Sequence, residues 1–176
     1  ADNNFVAAKE ALSKHHPVSL YSITIFYHGK PQEAIRPPWD GGWIWSKDEL
    51  GRPWMTVACQ GLGASVWYPC KDHQSDEPDL GATLSITVPD SLTSVGNGKM
   101  IDKKINGNGT STWVWEVKNP INNYNIVPYI GMYTHITDNY IGETEKNLSL
   151  DYWVLDYNAT KAKKQFDRDV KRMLQA

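Results

Sequence analysis

Ala82-Thr83-Leu84-Ser85-Ile86-Thr87-Val88-Pro89 alternates apolar and hydroxyl-bearing side chains without interruption. Successive side chains of a strand point to opposite faces, so Ala82, Leu84, Ile86 and Val88 form an apolar face and Thr83, Ser85 and Thr87 a polar one. This is the clearest half-buried strand in the chain, and it sets the expectation of a mainly β fold. Downstream, Pro89-Asp90-Ser91 turns the chain and Val95-Gly96-Asn97-Gly98-Lys99 opens a hairpin. After an Asn106-Gly107-Asn108-Gly109 turn, Trp113, Trp115 and Val117 share one face. Ile126 to Ile136 alternates again, with Ile126, Ile130, Met132 and Ile136 on one side, and Leu148 to Leu155 is the last expected strand.

Upstream, Val18 to Tyr27 has apolar or β-branched residues on both faces and reads as a strand covered on both sides. Gly29-Lys30-Pro31 ends it. Pro37-Pro38-Trp39-Asp40-Gly41-Gly42-Trp43-Ile44-Trp45 follows, crowded with indoles, and a hairpin through Lys47-Asp48-Glu49-Leu50-Gly51-Arg52 returns to Trp54-Met55-Thr56-Val57. At the other end the period changes. Ala159, Ala162, Phe166, Val170 and Met173 recur at steps of three and four, with Lys161, Lys164, Arg168, Lys171 and Arg172 facing away, so the spacing predicts an amphipathic helix with Asn158 as its N-cap. The expected architecture is an antiparallel twisted sheet or sandwich with a C-terminal α-helix.

The 176 residues suffice for a domain with a real core. With 18 basic and 20 acidic side chains and a net charge of -2, neither nucleic acid nor a membrane surface is the expected partner. No apolar run is long enough to span a bilayer, and the first residues lack a signal-peptide layout. The compartment is left open, with a periplasmic or secreted setting favoured. Eight Trp and nine Tyr against three Phe suit a β-rich fold with aromatics that keep a polar edge. Two cysteines, Cys59 and Cys70, define no disulfide framework.

The chemistry-bearing stretch runs from Thr56 to Pro78. It starts as an apolar strand, breaks at Gly61 and Gly63, resumes in Val66-Trp67-Tyr68-Pro69-Cys70 and ends in the polar loop Lys71-Asp72-His73-Gln74-Ser75-Asp76-Glu77. A β scaffold commonly presents function on such a loop. Gln60, Tyr68-Pro69-Cys70, Asp76-Glu77-Pro78 and the following Gly81-Ala82-Thr83-Leu84-Ser85-Ile86-Thr87-Val88-Pro89 stand in an order that resembles the N-terminal β domain of the aminopeptidase N family of zinc metallopeptidases. The resemblance extends from about Val18 to the end.

That resemblance implies a saddle-like β domain over residues 1–157 with its leading strands removed, Phe5 to Ala8 being a strand end. It makes residues 158–176 the first helix of a following catalytic domain. It places Gln60 where the family has a Glu in a Gln-x-Glu loop that contacts the substrate's N-terminal residue, with Gly61, Leu62 and Gly63 as neighbours in that subsite. Here Gln60 replaces the Glu and Ala58 the first Gln, so the loop offers a neutral amide that binds an ammonium less strongly than a carboxylate would. A Gln that only satisfies backbone in a Gly-rich turn is the plainer reading. His73-Gln74-Ser75 looks inserted between Asp72 and Asp76, and both thiols are expected to be free, Cys70 as an ordinary buried residue.

Zinc hydrolysis needs two imidazoles on one helical face with a carboxylate between them. None of His15, His16, His28, His73 and His135 has that spacing. The resemblance therefore implies zinc in the parent enzyme, none in this fragment, and a non-catalytic role. The expected partners are the chain's own catalytic domain and peptide N-termini. Asp72 to Glu77 is dense in carboxylates, but its oxygens do not follow a calcium-loop spacing, and a solvated surface loop is the preferred reading. From a different class, Trp39, Trp43, Trp45 and Trp54 would make a carbohydrate-binding platform if two indoles lie exposed and coplanar; otherwise they pack over the sheet.

Overall fold

The computed structural model describes residues 22–143 and 145–175. Asp48 shapes its first hairpin. One carboxylate oxygen of Asp48 accepts from the N–H groups of Leu50 and Arg52, both at 2.9 Å. The turn so closed joins β1 (Gly42–Lys47) to β2 (Pro53–Ala58), antiparallel from Gly42 opposite Ala58 to Lys47 opposite Pro53. The hairpin expected through Lys47 to Arg52 is therefore present.

Ala82–Pro89 forms β3 with the expected alternation, Thr83, Ser85 and Thr87 lying exposed and Val88 buried. It pairs with β6 (Thr110–Val117), and β6 also pairs with β5 (Lys99–Ile105) across the Asn106–Gly109 turn. Among the described residues β5 is an edge strand. Its lysines and a register shift between Met100 and Asp102 discourage pairing with another chain.

The other large sheet has the order β1-β2-β7-β4, where β4 is Thr93–Val95 and β7 is Tyr129–Gly131. The stretch expected to be one alternating strand from Ile126 to Ile136 is divided. Tyr129–Gly131 belongs to this sheet, whereas β8 (Tyr133–Ile141) leaves it at Met132 to pair with β9 (Asn147–Leu155). Alternation reports which face of a strand is apolar and not which sheet the strand joins, so the switch at Met132 leaves no mark on the pattern.

Side chains from both large sheets meet in one cluster. Val88, Leu92, Trp113, Trp115 and Ile130 are buried there, with Met55, Leu84, Ile86 and Trp153 packed around them. Trp153 of β9 stands edge-on to Trp113 and Trp115, at centroid distances of 6.0 and 5.5 Å, and joins the β8–β9 hairpin to this core. Such edge-to-face pairs add to the stabilisation that burial gives. A second cluster, Val57, Cys59 and Ala64 with Trp67, Tyr68 and Cys70 against it, fixes the start of the loop that follows β2.

The chain enters α1 (Ala159–Gln175) through a 3-10 turn over Asp156–Asn158. Asn158 is the last residue of that turn and directly precedes α1, the position expected of it. The apolar stripe rests on the β8–β9 hairpin: the Phe166 ring stacks on Tyr152 at 4.3 Å. Lys171, expected to face away, reaches Asp138 of β8 at 2.8 Å. Met173 is 74 % exposed, so the stripe is covered only in part.

The doubly covered strand expected over Val18 to Tyr27 is not seen in its described part. Residues 22–28 pair with no described strand, and Ile23 and Phe26 are 72 and 93 % exposed. A strand is stable only with a neighbour to receive its N–H and C=O groups, and no described strand lies beside this segment. Val18 to Tyr21, like Phe5 to Ala8, lie outside the described residues.

Candidate functional site

At the end of β2 the chain leaves the sheet at Cys59, whose side chain is buried in the second cluster. Gly61 and Gly63 take φ values of +84° and +81°, a region side chains rarely adopt, and the Gly63 N–H returns to the Cys59 carbonyl at 2.8 Å. The result is a tight loop that turns Gln60, Gly61 and Leu62 outward, all three exposed. Ala64, fully buried, opens the 3-10 turn Ala64–Val66 that brings the chain back.

Asp72 secures this loop from the far side of Tyr68-Pro69-Cys70. Its carboxylate accepts from the Ala64 N–H at 3.2 Å and from the Ser65 hydroxyl at 2.5 Å. A methyl group added at Gly63 would lie 1.9 Å from the Asp72 Oδ1 atom, so the loop passes the carboxylate as closely as a glycine allows.

The polar loop is held in turn by a segment about 50 residues later. The Asn123 side-chain amide donates to the Lys71 carbonyl and to Asp76 Oδ2, both at 2.9 Å. The Tyr68 hydroxyl donates to the Asn123 carbonyl at 3.2 Å, and the Asn122 amide donates to the Gln74 carbonyl. Lys71 lies 3.0 Å from Asp76, and its hydrogen bond, with that of Asn123, holds the Asp76 carboxyl below the usual carboxylate range. His73 closes a local turn, its Nδ1 accepting from the Ser75 N–H at 3.2 Å.

These pieces enclose an open cavity of about 1270 Å³. Gln60, Gly61, Leu62 and Gly63 form one wall, Asp72 to Gln74 with Glu77 another, and Ile121 to Asn125 a third. The four predicted site residues, consecutive in the chain, line this cavity. The third wall was not foreseen, although Asn122-Asn123-Tyr124-Asn125 after Pro120 carries the composition of a turn. The carboxylates of Asp72 and Asp76 are taken up by Ala64 and Ser65 and by Lys71 and Asn123. Among the described residues no three His, Cys, Asp or Glu side chains are grouped to hold a metal ion.

Both cysteines are free. Burial, with the nearby Cys70 and Asp72, pushes the Cys59 thiol up to about 11. The indoles do not form a flat platform. Trp43 and Trp45 are tilted by 45° at 5.5 Å, Trp43 packs into both clusters, and Trp54 donates its N–H to the Tyr133 hydroxyl at 2.8 Å. Trp39 is exposed on its loop. No described helix is long and apolar enough to cross a membrane.

No family model matches the sequence, and no curated protein is significantly similar to it. Solved structures are. An M1 zinc metallopeptidase from Deinococcus radiodurans, a Glu-to-Ala mutant bound to a Tyr-Ser-Ala substrate, aligns with a TM-score of 0.53 and 22 % identity over 69 % of this chain. A two-domain M1 zinc metallopeptidase mutant bound to L-arginine aligns with a TM-score of 0.55 and 21 % identity over 70 % of this chain. The aligned parts are 26 and 27 % of those chains, so this chain spans about a quarter of the length of the proteins it resembles. The described residues have the fold of a domain of these larger metallopeptidases.

Proposed function

We propose that this chain is the non-catalytic N-terminal β domain of a zinc-dependent aminopeptidase, covering the catalytic domain and offering the Gln60 loop to the substrate's N-terminus. The observation that carries this reading is the cavity wall formed by Gln60 to Gly63 at the open end of a fold found in M1 zinc metallopeptidases.

In this reading the parent enzyme removes N-terminal residues from peptides with a zinc-bound water, and the zinc ligands belong to a domain after residue 157. Helix α1 then begins that domain while remaining seated on β8 and β9 through Phe166 and Lys171. Gln60 would take the substrate's ammonium through its amide oxygen. A neutral acceptor gives a weaker bond than a carboxylate but does not require the ammonium to be matched by a full charge. The tilted Trp43–Trp45 pair and the hydrogen-bonded Trp54 weigh against the sugar-platform alternative.

The test compares residues 1–176 with the longest natural chain that contains them, both with zinc, on aminoacyl chromogenic substrates. The short chain should be inactive and the long chain active. Turnover by the short chain, or none by the long one, would sink the reading.

A further inference from the structure

The Gln60 loop is a turn outside the sheet, with Gly61 and Gly63 in the left-handed region. Two observations bear on what fixes it. The Asp72 carboxylate bonds the Ala64 N–H and the Ser65 hydroxyl, which immediately follow the loop. The same carboxylate lies against Gly63, where no Cβ would fit. Its two oxygens are therefore used on the return arm of the loop and its edge on the last loop residue, while Gly63 N–H closes the loop on Cys59.

From this we infer that Asp72 is the positioning residue of the cavity, setting the direction in which Gln60 faces a ligand without touching the ligand's reacting atoms. Neutral donors meeting a carboxylate give stronger bonds than neutral acceptors would, and two of them from consecutive residues restrain both the backbone and its torsion. The inserted-looking His73-Gln74-Ser75 acquires a use in this account. Gln74 is held by Asn122, and Asp76 by Lys71 and Asn123, so the segment after Asp72 is anchored independently and Asp72 acts from a fixed base. Asp72 belongs to a polar loop dense in acids, and its contacts with Ala64 and Ser65 give it a task there.

The inference rests on the subsite reading above, so the experiment keeps the two apart. In the longest natural chain, Asp72→Ala, Asp72→Asn and Ser65→Ala are compared by hydrogen exchange of the 59–64 amides and by kcat and KM on an aminoacyl substrate. Asp72→Ala should raise exchange at these amides and raise KM roughly fivefold to tenfold, with kcat within about twofold. Asp72→Asn, which keeps one acceptor oxygen for Ala64, should restore much of both, and Ser65→Ala should show a smaller change of the same sign.

A Gly63→Ala variant places a Cβ on the carboxylate, so in the double variant with Asp72→Ala the two effects should combine to less than their sum. Raised exchange with an unchanged KM would support the positioning role and overturn the subsite reading. Unchanged exchange and KM in Asp72→Ala would overturn the inference. Should Asp72→Ala fail to fold, Ser65→Ala decides alone: unchanged exchange at 59–64 there would also overturn it.

Discussion

Arg52 and Asp156 form a two-point pair, Nη1 to Oδ2 at 2.9 Å and Nη2 to Oδ1 at 2.5 Å, that ties the tip of the first hairpin to the turn from which helix α1 starts. The Arg52 Nε donates to Asp48 at 2.8 Å, and the guanidinium lies over the Tyr157 ring at 5.5 Å. Two matched forks orient their partners more tightly than single contacts do. One residue therefore connects the hairpin that leads to the Gln60 loop with the helix proposed to begin the next domain.

This pair predicts a pH signature. The hydrogen bonds from Arg52 hold the Asp156 carboxyl below the usual carboxylate range. A carboxyl whose folded pKa is depressed contributes stability that is present above its unfolded pKa and is lost as pH falls through the folded value. Urea midpoints of the natural chain and of Asp156→Asn should therefore differ by a constant amount above about pH 5 and converge toward pH 3 and below. A gap that persists unchanged at pH 2 would show that the pair is not its source.

Trp115 joins the two large sheets and the β8–β9 hairpin. It is 3 % exposed, donates its N–H to the Ser94 carbonyl at 3.0 Å and stands edge-on to Trp153. Trp115→Ala should cost about 3–5 kcal/mol in a thermal or urea melt. Trp115→Phe keeps most of the ring contact but leaves the Ser94 carbonyl without that donor, and should cost about 1–3 kcal/mol.

Two glycines with nearly the same backbone separate torsional strain from collision. Gly107 has φ +77° with open space where a Cβ would go, whereas a Cβ on Gly81, φ +79°, would lie 1.8 Å from the Val117 carbonyl oxygen. Gly107→Ala should cost about 1–2 kcal/mol, the torsional penalty alone. Gly81→Ala should cost clearly more, because β3 must shift from β6 to make room. Equal losses in chemical melts would contradict this geometry.

The thiols should react slowly. With the Cys59 thiol near 11, its thiolate is on the order of one part in ten thousand at pH 7. Burial, followed by the Asp72 charge, also raises Cys70, which is less enclosed. Labelling with a chromogenic disulfide under native conditions should be much slower than in denaturant and should begin at Cys70. Rapid labelling of Cys59 in the folded chain would contradict its placement.

Much of this was legible in local patterns. Ala82 to Pro89, the Asp48-centred hairpin and the Phe166 stripe each state their structure within a few residues, because strand and helix periods act at that range. What was not legible depends on distance along the chain. Met132 changes sheets without changing its alternation, and Ile23 to Tyr27 is apolar yet has no described strand to pair with. Gln60 to Gly63 can be marked as a candidate from its glycines and its resemblance, but the opposite wall at Ile121 to Asn125 is fixed to the polar loop through Asn123, whose amide donates to Asp76 47 residues earlier in the chain. Asp72 looked like one acid among several until its contacts with Ala64 and Ser65 distinguished it.

The most direct test of the central claim is steady-state kinetics of Gln60→Ala and Gln60→Glu in the longest natural chain, with substrates that carry a free or an acetylated N-terminus. The account predicts that Gln60→Ala raises KM for the free-amine substrate by about fivefold with little change in kcat, and that Gln60→Glu lowers it, since a charged acceptor binds the ammonium more strongly. Unchanged KM in both variants would contradict contact between this loop and the substrate's N-terminus.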